Sequence, residues 1–98
     1  MTGAIDPEGN EARVIHELVD FRGKDVLEIG CGDGRLVWRY ADSCASVTGI
    51  DAEATDVDTA RSHTPERLRM NVVFHTLDAL SADFEPASFD VVVLGRSI

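Results

Sequence analysis

An α/β fold, half of a doubly wound parallel sheet with about four strands in the order 3-2-1-4, is the architecture these 98 residues predict. Short apolar runs alternate with segments able to form helices, which implies right-handed βαβ crossovers and hence parallel pairing. Val91-Val92-Val93-Leu94 is apolar on both faces, as expected of a strand covered by helices on each side. The first apolar run passes into glycine at every second position, Gly30-Cys31-Gly32-Asp33-Gly34, the signature of a tight turn between a strand and a helix.

The elements follow in order. Asp6-Pro7-Glu8 carries an acidic cap, a proline at the first helical position and negative charge near the positive end of the dipole. Val14, Ile15, Leu18, Val19 and Phe21 then give one apolar helical face, and His16 lies on the same helix. Gly23 ends it, so residues 1–22 are expected to be an N-terminal helical segment and 23–98 part of a ligand-binding domain. Asp25 to Ile29 reads as a buried strand running into the glycines. Arg35 to Ala41 is expected to be the following helix, with Leu36, Val37 and Tyr40 toward the sheet and Trp38 partly exposed. Ser46 to Ile50 is the second strand. Between Asp51 and Pro65 the pattern is polar, and Val57, Ala60 and Arg61 are compatible with a short helix. Asn71 to Thr76, with Val72, Val73, Phe74 and His75, is the third strand. Leu77 to Ser88 is an acidic connection, and Phe89 to Leu94 closes the series.

Composition restricts the partners. A formal net charge of -9, from eighteen acidic against nine basic side chains, argues against a nucleic-acid backbone or an anionic membrane, both of which need clustered Lys and Arg. No apolar stretch approaches the length of a membrane span, and Met1 to Asn10 is too polar for a signal peptide, so a cytoplasmic location is expected. Cys31 and Cys44 lack C-x-x-C spacing and are expected to be reduced rather than bridged. His16, His63 and His75 lack ligand spacing, so no metal site is expected.

Chemistry concentrates at the carboxyl ends of the strands, where open α/β sheets bind nucleotide-like molecules. Glu28 lies two residues before Gly30, Asp51 ends the second strand 21 residues after Gly30, and Asp78 follows the third strand. A carboxylate at the position of Asp51 can accept hydrogen bonds from both hydroxyls of a ribose; the plainer role for it is to cap the next helix. NAD is the competing nucleotide. Its fingerprint Gly-x-Gly-x-x-Gly fails here, because the third glycine position is Arg35 when counted from Gly30 and Val37 when counted from Gly32. An acidic crevice also disfavours a pyrophosphate and favours a cation.

Glu28-Ile29-Gly30-Cys31-Gly32-Asp33-Gly34 resembles the first motif of the class I S-adenosylmethionine-dependent methyltransferases, acidic-x-Gly-x-Gly-x-Gly. The resemblance extends to Val47-Thr48-Gly49-Ile50-Asp51, to Asp78-Ala79 and to Ser88-Phe89-Asp90-Val91-Val92. It implies a Rossmann-like αβα sandwich half and S-adenosylmethionine as cofactor. By the same resemblance, the backbone of Gly30, Cys31, Gly32 and Gly34 would receive the methionine part, with Glu28 near its amino group. Asp51 would bind the ribose, Asp78 the adenine amino group, the Ala79 amide would face the ring, and Ile50 and Ala52 would flank the ribose position and give apolar contact to the purine.

The family continues through further strands that cover the acceptor side, whereas this sequence ends at Gly95-Arg96-Ser97-Ile98 and holds no acceptor motif such as Asn-Pro-Pro-Tyr. The C-terminal strands are therefore expected to be missing, and the chain to be a fragment whose full-length form methylates a small molecule. Methyl transfer needs mainly alignment, so the lack of an evident general base excludes nothing. A truncated sheet would leave the far edge of Val91–Leu94 unpaired, a surface for self-association. The alternative is a non-catalytic remnant or interaction module that binds a nucleoside or a partner chain.

Overall fold

The computed structural model describes residues 2–3, 20–78 and 88–95. Five strands form one sheet: β1 (Thr2–Gly3), β2 (Asp25–Ile29), β3 (Ser46–Asp51), β4 (Val72–Thr76) and β5 (Val91–Leu94). Their spatial order is β1-β5-β2-β3-β4 and every neighbouring pair is parallel. The four strands expected from sequence thus stand in the expected order, with β2 central. Of the N-terminal segment 1–22 expected to be helical, Thr2–Gly3 form a strand and Asp20 to Arg22 are not helical; the rest of it lies outside the described residues, as do Ala79 and most of the connection before Ser88.

Position in the sheet explains the burial of each strand. β2 pairs on both sides, Val26 with Val47 and with Val91, and Val26, Leu27 and Glu28 are all closed from solvent. β4 has a partner only in β3, and its side chains alternate: Val72 and Phe74 are buried while Val73 is 46% exposed. A central strand buried on both faces and an edge strand buried on one are the two regimes of such a sheet.

The fourth expected strand departs from its sequence reading in two ways. Its far edge is not left unpaired, because Thr2 and Gly3 pair with Val93 and Leu94 and so move the sheet edge to the N-terminus. Covering of both faces is also incomplete: Val93 is buried, Val91 and Val92 are half-buried, and Leu94 is 38% exposed.

The segment after the glycines is not the α-helix expected over Arg35 to Ala41. It closes as two 3-10 turns, Val37–Arg39 and Ala41–Ser43. Leu36 at the start offers no capping oxygen, and the aromatic and Asp-Ser residues that follow are weak helix formers, so short i→i+3 turns replace a continuous helix. The inward side chains are nevertheless those expected. Leu36, Val37 and Tyr40 are buried, and Tyr40 stacks on Phe21 with ring centroids 4.5 Å apart. Trp38, half-buried, meets Phe74 edge-on at 5.6 Å.

One α-helix, α1 (Ala54–His63), connects β3 to β4. Val57 and Ala60 are its buried residues, while Arg61 reaches the edge strand and donates from Nε and Nη2 to the Phe74 carbonyl at 3.2 and 2.8 Å. Residues 72 and 74 of β4 turn their backbone groups away from β3, as the bonds from Val47 N to Asn71 O and Leu77 N to Asp51 O imply for a parallel ladder. Arg61 therefore satisfies a carbonyl that the sheet leaves open.

Candidate ligand site at the carboxyl ends of the strands

Gly30, Gly32 and Gly34 all have positive φ, at 79°, 56° and 91°, which a side chain would strain. The loop doubles back on β3: the N–H groups of Gly30 and Cys31 both donate to the Ile50 carbonyl, at 2.8 and 3.0 Å. This anchors the start of the loop beside the end of β3 and brings Gly32 to Asp51.

Asp51 is 8% exposed and uses both carboxylate oxygens. Oδ2 accepts from the Gly32 N–H at 2.8 Å, and Oδ1 accepts from the Glu53 N–H at 2.9 Å, immediately before α1. The second bond closes a turn ahead of the helix and does not cap it, because the N-cap is Glu53 and its side chain makes no capping bond. Each carboxylate oxygen carries two lone pairs, so these amides leave acceptor capacity on the same group. The Asp51 carbonyl in turn accepts from the Leu77 N–H at 2.9 Å, which places the exposed Asp78 beside the end of β3.

Glu28 is placed differently from the expectation that it would lie by a ligand's amino group. Its side chain is 0% exposed, beneath the glycine loop, and Oε1 accepts from the Tyr40 hydroxyl at 2.5 Å. Burial, then the Glu28 carboxylate, hold the Tyr40 phenol well above its ordinary pKa. Glu28 thus ties the central strand to the segment that follows the glycines through Tyr40.

Cys31 is buried, and its thiol is pushed up to about 12 by burial first, then by the Glu28 and Asp51 carboxylates. It is a packed thiol and not a nucleophile. Gly34 is buried rather than open to a ligand: a Cβ there would lie 2.9 Å from Cζ2 of Trp38 and 3.3 Å from Cβ of Ala60, so its place is in packing. Ile50, 2% exposed, is closed to a purine, whereas Ala52 is exposed beside Asp51. Ala79 lies outside the described residues.

Two residues of the site were not singled out from sequence as such. Tyr40 appears there only as an apolar face residue, although a tyrosine one helical stretch after a buried acid is a natural partner for it. Gly95 follows β5, donates its N–H to the Ile29 carbonyl at 2.7 Å and packs against Gly30. Among the described residues no group of three or more His, Cys, Asp and Glu could hold a metal ion, and no helix is long and apolar enough to cross a membrane.

Residues 26–98 match the family described as "Methyltransferase domain". The chain belongs to that family. Within it, the domain is 36% identical over 103 residues to a ubiquinone biosynthesis O-methyltransferase of Idiomarina loihiensis, a match covering 89% of this chain and 40% of that protein. It is 30% identical over 80 residues to the protein of the same name from Coxiella burnetii, covering 82% and 34%. Among solved structures it superposes on YcgJ of Bacillus subtilis with a TM-score of 0.81 at 25% identity, covering 92% of this chain and 39% of the other. An RNA methyltransferase of Salinibacter ruber in complex with S-adenosyl-L-homocysteine gives 0.77 at 28% identity, covering 92% and 60%. The methyltransferase domain described here thus spans about two fifths of its curated relative from Idiomarina loihiensis.

Proposed function

We propose that this methyltransferase domain binds S-adenosylmethionine at the carboxyl ends of β2, β3 and β4, and that in a full-length form it transfers the methyl group to a small molecule. The observation that carries this is Asp51, a nearly buried carboxylate tied to the Gly32 amide of a loop whose glycines hold positive φ. Residues 23–98 form the cofactor-binding unit, and Thr2–Gly3 add an edge strand to its sheet. When bound, the cofactor supplies an activated methyl on its sulfonium, so the protein's task is alignment.

Gly30, Cys31 and Gly32 offer backbone to the methionine part, Asp51 accepts from the ribose hydroxyls, and Asp78 with Ala79 receives the adenine. Ala52 lies beside the ribose position, while Glu28 ties down the segment after the glycines through Tyr40 and Gly34 packs behind the loop. A small-molecule acceptor agrees with the name of the O-methyltransferase relatives, and the charge of -9 disfavours nucleic acid and anionic membranes. The free Cys31 and Cys44 suit a cytoplasmic setting. Self-association through β5 would be confined to the stretch that Thr2 and Gly3 leave uncovered, Val91 and Val92.

Equilibrium dialysis of the chain with labelled S-adenosylmethionine tests the reading. Saturable binding, displaced by S-adenosylhomocysteine and unaffected by NADH, is the expected outcome. Retention no greater than for free label, or displacement by NADH, would overturn it.

A further inference from the structure

We infer that the outer edge of β4 carries a second ligand site, separate from the one at the carboxyl ends of the strands, and that its ligand is a phosphate monoester with an apolar body. A recess of about 310 Å³ opens there, lined by Arg61, Thr64, Arg69 and the β4 residues from Val72 to His75. That volume is at the lower end of small-molecule sites. None of Glu28, Gly30, Cys31, Gly32 and Asp51 borders it, so the inference stands apart from the cofactor reading. Val72 and Phe74 are buried beneath it, and the Thr64 hydroxyl is turned to the Ala60 carbonyl at 2.9 Å, which leaves an apolar floor. The groups able to hold an anion come from three elements: Arg61 from the last turn of α1, Arg69 from the end of the 3-10 turn Glu66–Leu68, and His75 from β4.

Charge here runs against the rest of the molecule. The chain carries -9 overall, yet from Arg61 to His75 three arginines stand against one acid, Glu66. Arg67 is taken by Asp42 at 2.8 Å. Arg61 and Arg69 are less well matched, because their acids Asp58 and Glu66 lie 3.7 and 3.6 Å away, beyond hydrogen-bond distance, and are themselves exposed. Arg61 spends Nε and Nη2 on the Phe74 carbonyl, which fixes its guanidinium and leaves Nη1; the Arg69 side chain makes no hydrogen bond to the described residues. Two guanidiniums match a phosphate monoester, with nearly two charges and three acceptor oxygens, better than a single carboxylate. The apolar floor requires a body beyond the phosphate. Addition of an extended chain, the common use of a sheet edge, is obstructed at its middle, because Arg61 already sits on the outward Phe74 carbonyl.

Calorimetric titration of the whole chain with phenyl phosphate, inorganic phosphate and benzyl alcohol tests the assignment. Phenyl phosphate should bind saturably and at least about tenfold more tightly than inorganic phosphate, and benzyl alcohol should give no heat. Arg69→Gln should weaken phenyl phosphate at least about tenfold, and Arg67→Gln, in the same turn but outside the recess, by less than about twofold. In the wild-type protein, phenyl phosphate should shift the NMR amide signals of Thr64, Arg69 and Val72 to His75, and S-adenosylhomocysteine should not displace it. Equal binding of inorganic phosphate would reduce the site to a charged patch, equal losses in the two variants would mean diffuse attraction, and displacement by S-adenosylhomocysteine would put the anion in the cofactor crevice. Each of these results overturns the inference, as does phenyl phosphate that fails to bind. A hexapeptide of alternating Glu and Val that shifts the same amides where phenyl phosphate does not would also overturn it, by giving the edge to a strand.

Discussion

The two ends of the central strands carry acids in similar numbers and use them in opposite ways. At the amino ends, Oδ1 of Asp25 accepts from the Ser46 hydroxyl at 2.7 Å, and Oδ2 of Asp90 accepts from the Asp25 N–H at 2.9 Å. These bonds tie the starts of β2, β3 and β5 together in regular backbone. At the carboxyl ends Glu28 and Asp51 are buried and bonded to a tyrosine hydroxyl and to loop amides, among glycines with positive φ. An acid at the end of a strand acquires ligand chemistry only where the backbone beside it is shaped to admit one.

The largest effect that tests this contrast is on stability. Glu28→Ala leaves the buried Tyr40 hydroxyl without its acceptor and opens a void at the centre of the sheet, and is expected to destabilise by about 3 kcal/mol or more in denaturant unfolding. Asp25→Ala, at the other end of the same strand, should cost about 1 kcal/mol, since it removes one hydrogen bond at a partly exposed position. Equal losses would erase the distinction between the ends.

Gly34→Ala comes next, at about 1–3 kcal/mol, because the new Cβ combines unfavourable φ with an overlap on the Trp38 indole. Trp38 is the sole tryptophan, so an altered emission maximum in the folded variant would locate the disturbance, and unchanged emission would deny the contact.

A smaller effect is linked to pH. The Cys31 thiol has its folded pKa raised to about 12 from an ordinary value of 9.0, so the folded state retains a proton that the unfolded chain releases. The contribution is fully present below pH 9 and is lost as pH rises toward 12. Stability followed across that window should fall less in Cys31→Ser than in wild type, and parallel curves would contradict the buried-thiol assignment. Smallest of all is Asp42→Asn, which breaks the exposed Asp42–Arg67 pair at 2.8 Å and should change stability by less than about 1 kcal/mol.

What was legible in the sequence follows from the same contrast. β2 coincides with its expected span, and β3, β4 and β5 are displaced by one or two residues at their ends, because apolar runs bounded by glycine or acids report burial directly. α1 was barely legible: only Val57 and Ala60 turn inward among its residues, so its apolar face is too thin to give a period. The 3-10 turns after the glycines were hidden because they bury the same residues a helix would have buried. Asp51 stood out through its spacing from Gly30, which favoured the ribose role over the helix cap, while its bond to the Gly32 amide had no local signal. The burial of Glu28 was illegible, since it depends on Tyr40 arriving from twelve residues away. Pairing of Thr2–Gly3 with β5 had no local signal, because two residues are too few to show strand periodicity.

The most direct measurement is calorimetry with S-adenosylhomocysteine on wild type, Asp51→Ala and Asp90→Ala side by side. Removing a charge-assisted acceptor from a ligand site weakens binding by about 1.5–3 kcal/mol, about tenfold to a hundredfold. Wild type and Asp90→Ala should bind alike and Asp51→Ala at least about tenfold more weakly. Three indistinguishable titrations, or a loss in Asp90→Ala equal to that in Asp51→Ala, would contradict the assignment of the ligand to the carboxyl ends of the strands.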